Sequence, residues 1–285
     1  MPNNSIFMRF PRGLAKALTL SYDDGVAEDI RLVEIMKQHG LCGTFNINSG
    51  NFSAEGEVCP PEKKWGFRLT KSQTTALYAQ DGIEPAVHTL THAHLESLSP
   101  AQATYEVMKD RENLEAQFGR VVRGMAYPYG TYTDETVEVL RSCGIVYCRT
   151  IKQTEKFEIP TDWLRLNPTC HHTHPRLPEL TRRFVEETPT HTQFPWLFYV
   201  WGHAYEFERD QNWQVIENFA EAVGGKDDVW YATNIEIYEY VEAFRALIFS
   251  ADMTYVQNPT AKDVWFIKDK ELFCVAAGEA TALKK

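Results

Sequence analysis

KALTLSYDDGVAEDIRLVEIMKQHGLCGTFNIN, residues 16–48, holds a complete strand–helix–strand unit. Lys16 to Tyr22 is a short apolar-rich run of strand length that ends in the acidic turn Asp23-Asp24-Gly25. Ile30, Val33 and Met36 then recur at helical spacing, and the periodic segment stops at Gly40, a residue that can take the left-handed conformation of a helix end. Cys42 to Asn48 follows as a second strand. Strands joined through a helix run parallel, and a parallel sheet needs helices on its faces.

The same rhythm continues along the chain. Ile83 to His88 reads as a strand, and Ser99-Pro100 supplies an N-cap and first-turn residue for a helix ending near Gly119. Val121 to Tyr127 is the next strand, and Thr133 caps a helix ending at Gly144. Ile145–Arg149, Leu164–Leu166, Trp196–Gly202 and Val229–Ala232 complete the strand-like runs, so the count approaches that of a barrel. The expected fold is α/β, a (β/α) barrel over residues 1–250. From Met253 onward the rhythm breaks, and residues 251–285 are expected to form a C-terminal β-hairpin extension turning at Lys268-Asp269-Lys270.

Composition narrows the class of protein. With 285 residues, 44% hydrophobic and 13% aromatic, the chain can bury a core, which excludes a disordered or fibrous reading. Its 29 basic and 39 acidic residues leave a net charge of −10, which repels phosphate backbones and anionic membranes, so neither nucleic acid nor membrane is an expected partner. The N-terminal stretch has no apolar run of signal-peptide length, and a cytoplasmic location is expected. Cys42, Cys59, Cys143, Cys148, Cys170 and Cys274 are scattered without a CxxC pair and read as free thiols.

Reactive residues fall at the ends of the strands, where the loops of a (β/α) barrel carry chemistry. Asp23-Asp24 follows one strand, His88 ends another, Tyr127-Pro128-Tyr129-Gly130 follows a third, His203 a fourth and Asn234 a fifth. An acidic turn alone is ordinary turn chemistry. His88-Thr89-Leu90-Thr91-His92 adds two imidazoles four positions apart, which can grip one metal ion from one side of a helical turn. The joint pattern points to metal chemistry.

These residues resemble the polysaccharide deacetylase family (NodB homology domain, carbohydrate esterase family 4). SYDDG looks like its first motif, HTLTH its second, YPYG its third, and His203 in YVWGHAYEF its late catalytic histidine. The resemblance implies an irregular (β/α) barrel and a hydrolase that removes acetyl groups from N- or O-acetylated sugars or oligosaccharides. It implies Asp23 as catalytic base, His203 as acid, and Asp24, His88 and His92 as ligands of one divalent ion, zinc first, with cobalt or manganese also suited. Two positions depart from the family pattern. The arginine expected before the motif proline is Ala126, leaving Arg149, at a neighbouring strand end, as the cation to orient Asp23; and the motif that tunes the catalytic histidine is only echoed by Asp162-Trp163. Tyr129, Pro128, Trp201, Arg149 and Asn234 are the candidate substrate contacts.

Acid–base arithmetic favours a metal. Proton transfer from bulk water, pKa about 15.7, to a carboxylate near 4 is uphill by about 16 kcal/mol, whereas water acidified by a divalent ion to roughly 7–9 leaves about 4–7 kcal/mol. His171, His172 and His174 form a second histidine cluster, either a solvated loop or a further metal group, and Glu206 is placed to orient a ligand or substrate. Two rival functions remain: an amide hydrolase acting on cyclic ureides or imides on the same barrel, and a non-catalytic carbohydrate-binding protein, which would normally have lost the base or a ligand.

Overall fold

The computed structural model describes residues 6–283. In chain order, β1 is Ile6–Arg9, β2 Lys16–Asp23, β3 Gly43–Ile47, β4 Ile83–Val87, β5 Gly124–Ala126, β6 Tyr147–Arg149, β7 Cys170–His171, β8 Trp196–Gly202 and β9 Val229–Tyr231. The helices are α1 Asp29–Gln38, α2 Lys71–Tyr78, α3 Pro100–Phe118, α4 Asp134–Ser142, α5 Leu177–Glu186, α6 Ala204–Arg209, α7 Gln214–Val223 and α8 Asn234–Arg245. Sequence signals set several of their ends. Ser99 and Thr133 cap α3 and α4, and Gly119 closes α3 at φ +64°.

The strands β6-β5-β4-β3-β2-β8-β7 run parallel in that order. β8 pairs along β2 from Lys16 to Tyr22, while the other edge of β2 is shared, β9 taking Lys16–Leu18 and β3 taking Leu20–Asp23. The sheet curls into a half-barrel. Its free edges are linked by one crossing segment: Leu166 bridges to Arg149 beside β6, and Cys170–His171 then pairs with β8. Leu164–Leu166 is therefore not the strand expected. Trp163–Arg165 is a 3-10 turn with a single bridge at Leu166, because the chain there is changing edges and has no partner along its length.

One large apolar cluster lies between the sheet and its helices, including Leu18, Leu20, Phe45, Leu114, Phe198 and Phe219. Under the rim the half-barrel also holds a polar network. Thr44 donates to Glu84 (2.8 Å), Thr19 donates to Asn234 (3.0 Å), and Asn234 donates to Tyr199 (2.7 Å). Buried polar groups must be paired in this way to avoid a desolvation cost of about 1–3 kcal/mol each.

The C-terminal hairpin forms from β12 (Val264–Lys268) and β13 (Glu271–Val275), after the short strands β10 (Ile248–Phe249) and β11 (Tyr255–Gln257). Asp269 and Lys270 both have positive φ, as a two-residue hairpin turn requires. β1 pairs antiparallel with β12, Ile6 opposite Lys268, so the first described residues and the hairpin share one sheet. A second small sheet joins β10, β11 and β14 (Ala280–Ala282), and Val256, Phe266 and Val275 pack with Ala243 and Leu247 at the end of α8. No helix among the described residues is long and apolar enough to cross a membrane.

Candidate metal centre and active site

Asp23 is the last residue of β2 and Asp24 the first of the turn, where Asp24 takes φ +87° and Gly25 φ +67°. The turn therefore separates the two neighbouring side chains. Asp23 is buried; its Oδ1 accepts from Asn46 of β3 (2.8 Å) and its Oδ2 from the buried guanidinium of Arg149. Burial would raise the Asp23 pKa, but Arg149, His88 and His203 together hold it down to about 2. Asp24 Oδ1 faces the cleft, 2.9 Å from Arg68 Nη2 and 3.6 Å from His92 Nε2.

His88 follows β4. The segment His88–His92 is irregular rather than the helical turn expected, with Thr89 at φ +63° and His92 at φ +61°. A buried, β-branched threonine is a rare occupant of that region. Its surroundings fix it: Asn48 donates to the carbonyls of His88 and Thr89, Thr89 Oγ1 accepts from Ala93 N (3.0 Å), and Asp110 accepts from His88 N (3.0 Å).

The ligand atoms of Asp24, His88 and His92 all lie within 4.8 Å of one another. His88 Nδ1 is 2.8 Å from the Ala126 carbonyl, which can only accept, so Nδ1 carries the proton and Nε2 offers its lone pair to the centre. Burial lowers the His88 pKa to about 4, keeping the ring neutral as a ligand must be. Two neutral imidazoles, one carboxylate and open positions fit a catalytic divalent ion. The Ala126 carbonyl orients a ligand from the position where the motif arginine was missing.

His203 follows β8, with Nε2 3.8 Å from Asp23 Oδ2 and Nδ1 3.4 Å from Glu206 Oε2. Burial would lower its pKa, yet Glu206, Asp23 and Asp24 leave it raised. Glu206 Oε2 also meets His171 Nε2 (3.0 Å) and His172 Nε2 (3.3 Å). His171, His203 and Glu206 thus converge as a second group with metal-like spacing. Tautomer chemistry argues against an ion there. Thr173 N donates to His171 Nδ1 (3.2 Å), so in the neutral ring Nε2 bears the hydrogen and donates to Glu206. His174 stands apart, 3.6 Å from Glu155. Glu206 orients His203, the part loosely expected of Asp162, which instead pairs with Arg165 while Trp163 bonds Glu242.

Of the expected substrate contacts, only Tyr129 is exposed. It stacks on His94 (3.7 Å, 3°) and meets His92 edge-on (4.5 Å), held at φ +59° by the Pro128–Gly130 turn. The other four are buried. Arg149 is fully enclosed and binds Asp23, and Trp201 covers its guanidinium at 4.3 Å, so the pair backs Asp23. Pro128 is buried in its turn, and Asn234 lies beneath the rim, bonded to Thr19, Thr44 and Tyr199. Arg68 was missed in the sequence. It sits in the long connection between β3 and α2, where no periodicity marks it, and reaches the centre because Val26 bridges to it.

The rim of the half-barrel thus gathers Asp23 paired with Arg149, a group of Asp24, His88 and His92 that could hold a metal ion, and His203 beside Glu206. Residues 12–148, just under half of the chain, match the family described as polysaccharide deacetylase. The Bacillus subtilis (strain 168) protein YxkH, provisionally named a polysaccharide deacetylase, is 23% identical over 130 residues, covering 45% of this chain and 42% of YxkH. The chain thus matches less than half the length of this relative. A structure described as a provisional polysaccharide deacetylase from Mycobacterium smegmatis shares the fold, with a TM-score of 0.56 and 15% identity over 86% of this chain and 96% of that one. The family 4 carbohydrate esterase of Streptomyces lividans, solved with acetate, aligns at a TM-score of 0.48 and 15% identity, covering 76% of this chain and 92% of that one.

Proposed function

We propose that the protein is a metal-dependent hydrolase that removes acetyl groups from N- or O-acetylated sugars. The observation that carries this reading is the double environment of the aspartate pair: Asp23 bound to Arg149 and facing His203, Asp24 grouped with His88 and His92. Asp24, His88 and His92 would hold one divalent ion, with zinc the first choice for this N/O donor set. Such an ion supplies acidification of water and polarisation of a carbonyl.

The low basicity of Asp23 makes that contribution necessary. Moving a proton from bulk water to a carboxylate with a pKa of about 2 would cost roughly 19 kcal/mol. Asp23 remains ionised across neutral pH, and Arg149 and Asn46 fix its carboxylate so that Oδ2 takes the proton of the attacking water. His203 Nε2 lies 3.8 Å from that oxygen, and Glu206 at Nδ1 favours its protonated form, so Nε2 can pass a proton to the leaving amine or alkoxide. Trp201 and the strand ends keep solvent from the Arg149–Asp23 pair.

The test is acetate release from acetylated amino sugars and acetylated xylan by protein stripped with chelator and then resupplied with zinc, cobalt or manganese. Release that depends on the added ion is the expected result. Equal release before and after stripping, or hydrolysis of cyclic ureides in place of acetylated sugars, would overturn the reading.

A further inference from the structure

The turn that carries His88 and His92 lies outside any helix or strand, and Thr89 and His92 within it stand at positive φ. Such a turn keeps its shape only where its surroundings over-determine it. Helix α3 does this from one face. Glu106 accepts from Thr91 N and Thr91 Oγ1 (2.9 Å each), and Asp110 accepts from His88 N through Oδ2 (3.0 Å) and from Ser49 N through Oδ1 (2.7 Å). Asn113 donates to Ser49 Oγ (3.0 Å). Ser49 follows Asn48, whose amide donates to the His88 and Thr89 carbonyls and accepts from Arg68, the partner of Asp24. Next to it, Gly50 N bonds Leu90 O (2.9 Å), an approach so close that a Cβ at Gly50 would lie 2.5 Å from that carbonyl. Asp110 is therefore the point at which the segment after β3 and the segment after β4 are tied together.

The residue type at this point is not what packing would choose. Ala103, Val107, Asp110 and Leu114 make up the buried stripe of α3, so position 110 belongs to the core, and Asp110 is 0% exposed. A leucine has the same branching and would continue the apolar stripe without burying a carboxyl. What the carboxyl alone offers is two oxygens that accept from two backbone N–H groups at once. An asparagine has one such oxygen, and its NH2 would face the second N–H. We propose that Asp110 is a positioning residue for the metal centre. It fixes His88 by its own backbone, His92 through the turn, and Asp24 through Ser49, Asn48 and Arg68. The inference rests on the reading of Asp24, His88 and His92 as ligands of one ion. Ligand atoms already held within 4.8 Å of one another bind an ion without first ordering the turn, so the affinity carries no ordering penalty.

Metal affinity measured beside stability separates positioning from packing. Zinc binding to wild type, Asp110→Asn and Asp110→Leu is followed by competition with a chromophoric chelator, on protein that circular dichroism and urea unfolding show to be folded. Both variants should bind zinc roughly ten- to a hundredfold more weakly than wild type, as removal of a group that orients a metal ligand does. The visible absorption of bound cobalt should change as well, because the donors no longer hold one geometry. Asp110→Leu keeps the stripe of α3 apolar, so its loss of affinity should not track its urea stability. Zinc affinity within about twofold of wild type and an unchanged cobalt spectrum in the folded variants would overturn the proposal and leave Asp110 a packing residue. A wild type that binds neither ion overturns it together with the metal reading. Weakened binding in both variants, alongside a wild type that binds metal but releases no acetate from sugars, supports the positioning role and refutes only the deacetylase reading.

Discussion

Asp23 and Asp24 are chemically identical neighbours that face different partners, Arg149 for one and His92 with Arg68 for the other. Asp23→Asn should lower kcat by roughly 10² to 10⁴ with bound metal nearly unchanged, because it removes the proton acceptor and leaves Asp24, His88 and His92 in place. Asp24→Asn should weaken metal binding instead, and excess ion should partly restore its activity but not that of Asp23→Asn. Equal rescue of both variants would refute the division of roles. Arg68 adds a second expectation, since its guanidinium shares Asp24 Oδ1 with any bound ion. Two cations on one carboxylate repel, so Arg68→Gln should tighten metal binding by roughly tenfold in competition with a chromophoric chelator. Weaker binding would mean that Arg68 serves chiefly to hold Asp24 in place. The local motifs made Asp23, Asp24, His88 and His92 legible in the sequence. Arg68 and the Ala126 carbonyl were not, because a long aperiodic connection and a backbone atom leave no side-chain pattern to read.

Among the elements, β8 bears most directly on His203, since it ends at Gly202 immediately before that residue. A Cβ at Gly202 would lie 2.0 Å from Nδ1 of His172. That ring is buried and held between Tyr22 (5.7 Å) and Phe207 (4.1 Å), so it has no room to yield. Gly202→Ala should therefore destabilise the protein by roughly 1–3 kcal/mol in urea unfolding. His172→Ala should relieve part of that cost, making the double variant less damaged than the sum of the single ones. Simple additivity would show that the two positions do not collide. Helices and long strands were legible because their periods of 3.6 and 2 are written in the side chains, as α1, α3 and β2 illustrate. The His88–His92 turn was misread as helical, because the spacing of two histidines does not reveal that Thr89 and His92 adopt positive φ. Leu164–Leu166 was misread as a strand, because three apolar-rich residues look alike whether they pair fully or bridge once.

Across the whole molecule, buried ionisable groups set how stability responds to pH. Burial raises the pKa of Asp29 and Asp110 to about 8 and of Glu84 to about 7, against unfolded values near 4. Between those limits the folded chain holds protons that the unfolded chain has released, so these groups lose stability as pH rises. Below about pH 6.5 buried histidines oppose this trend: His88, His92 and His172 have lowered pKa values, so protonation favours the unfolded chain as pH falls. Above that pH the unfolded histidines are neutral as well and their contribution is constant. His203, with its raised pKa, acts in the same direction as the carboxyls. Metal-free protein should accordingly lose stability from about pH 6.5 to 8, each protonated carboxyl contributing up to about 1.4 kcal/mol per pH unit. Asp29 isolates one share of the effect. Its Oδ2 accepts from Val26 N (2.9 Å) and Tyr78 OH (2.6 Å), while its buried Oδ1 has no protein partner. Asp29→Asn preserves the acceptor and removes the titrating proton, so it should flatten the slope between pH 6.5 and 8 without changing the urea m-value. An unchanged slope in this variant would show that Asp29 is ionised in the folded protein and that its pairing with Tyr78 and Val26 outweighs its burial.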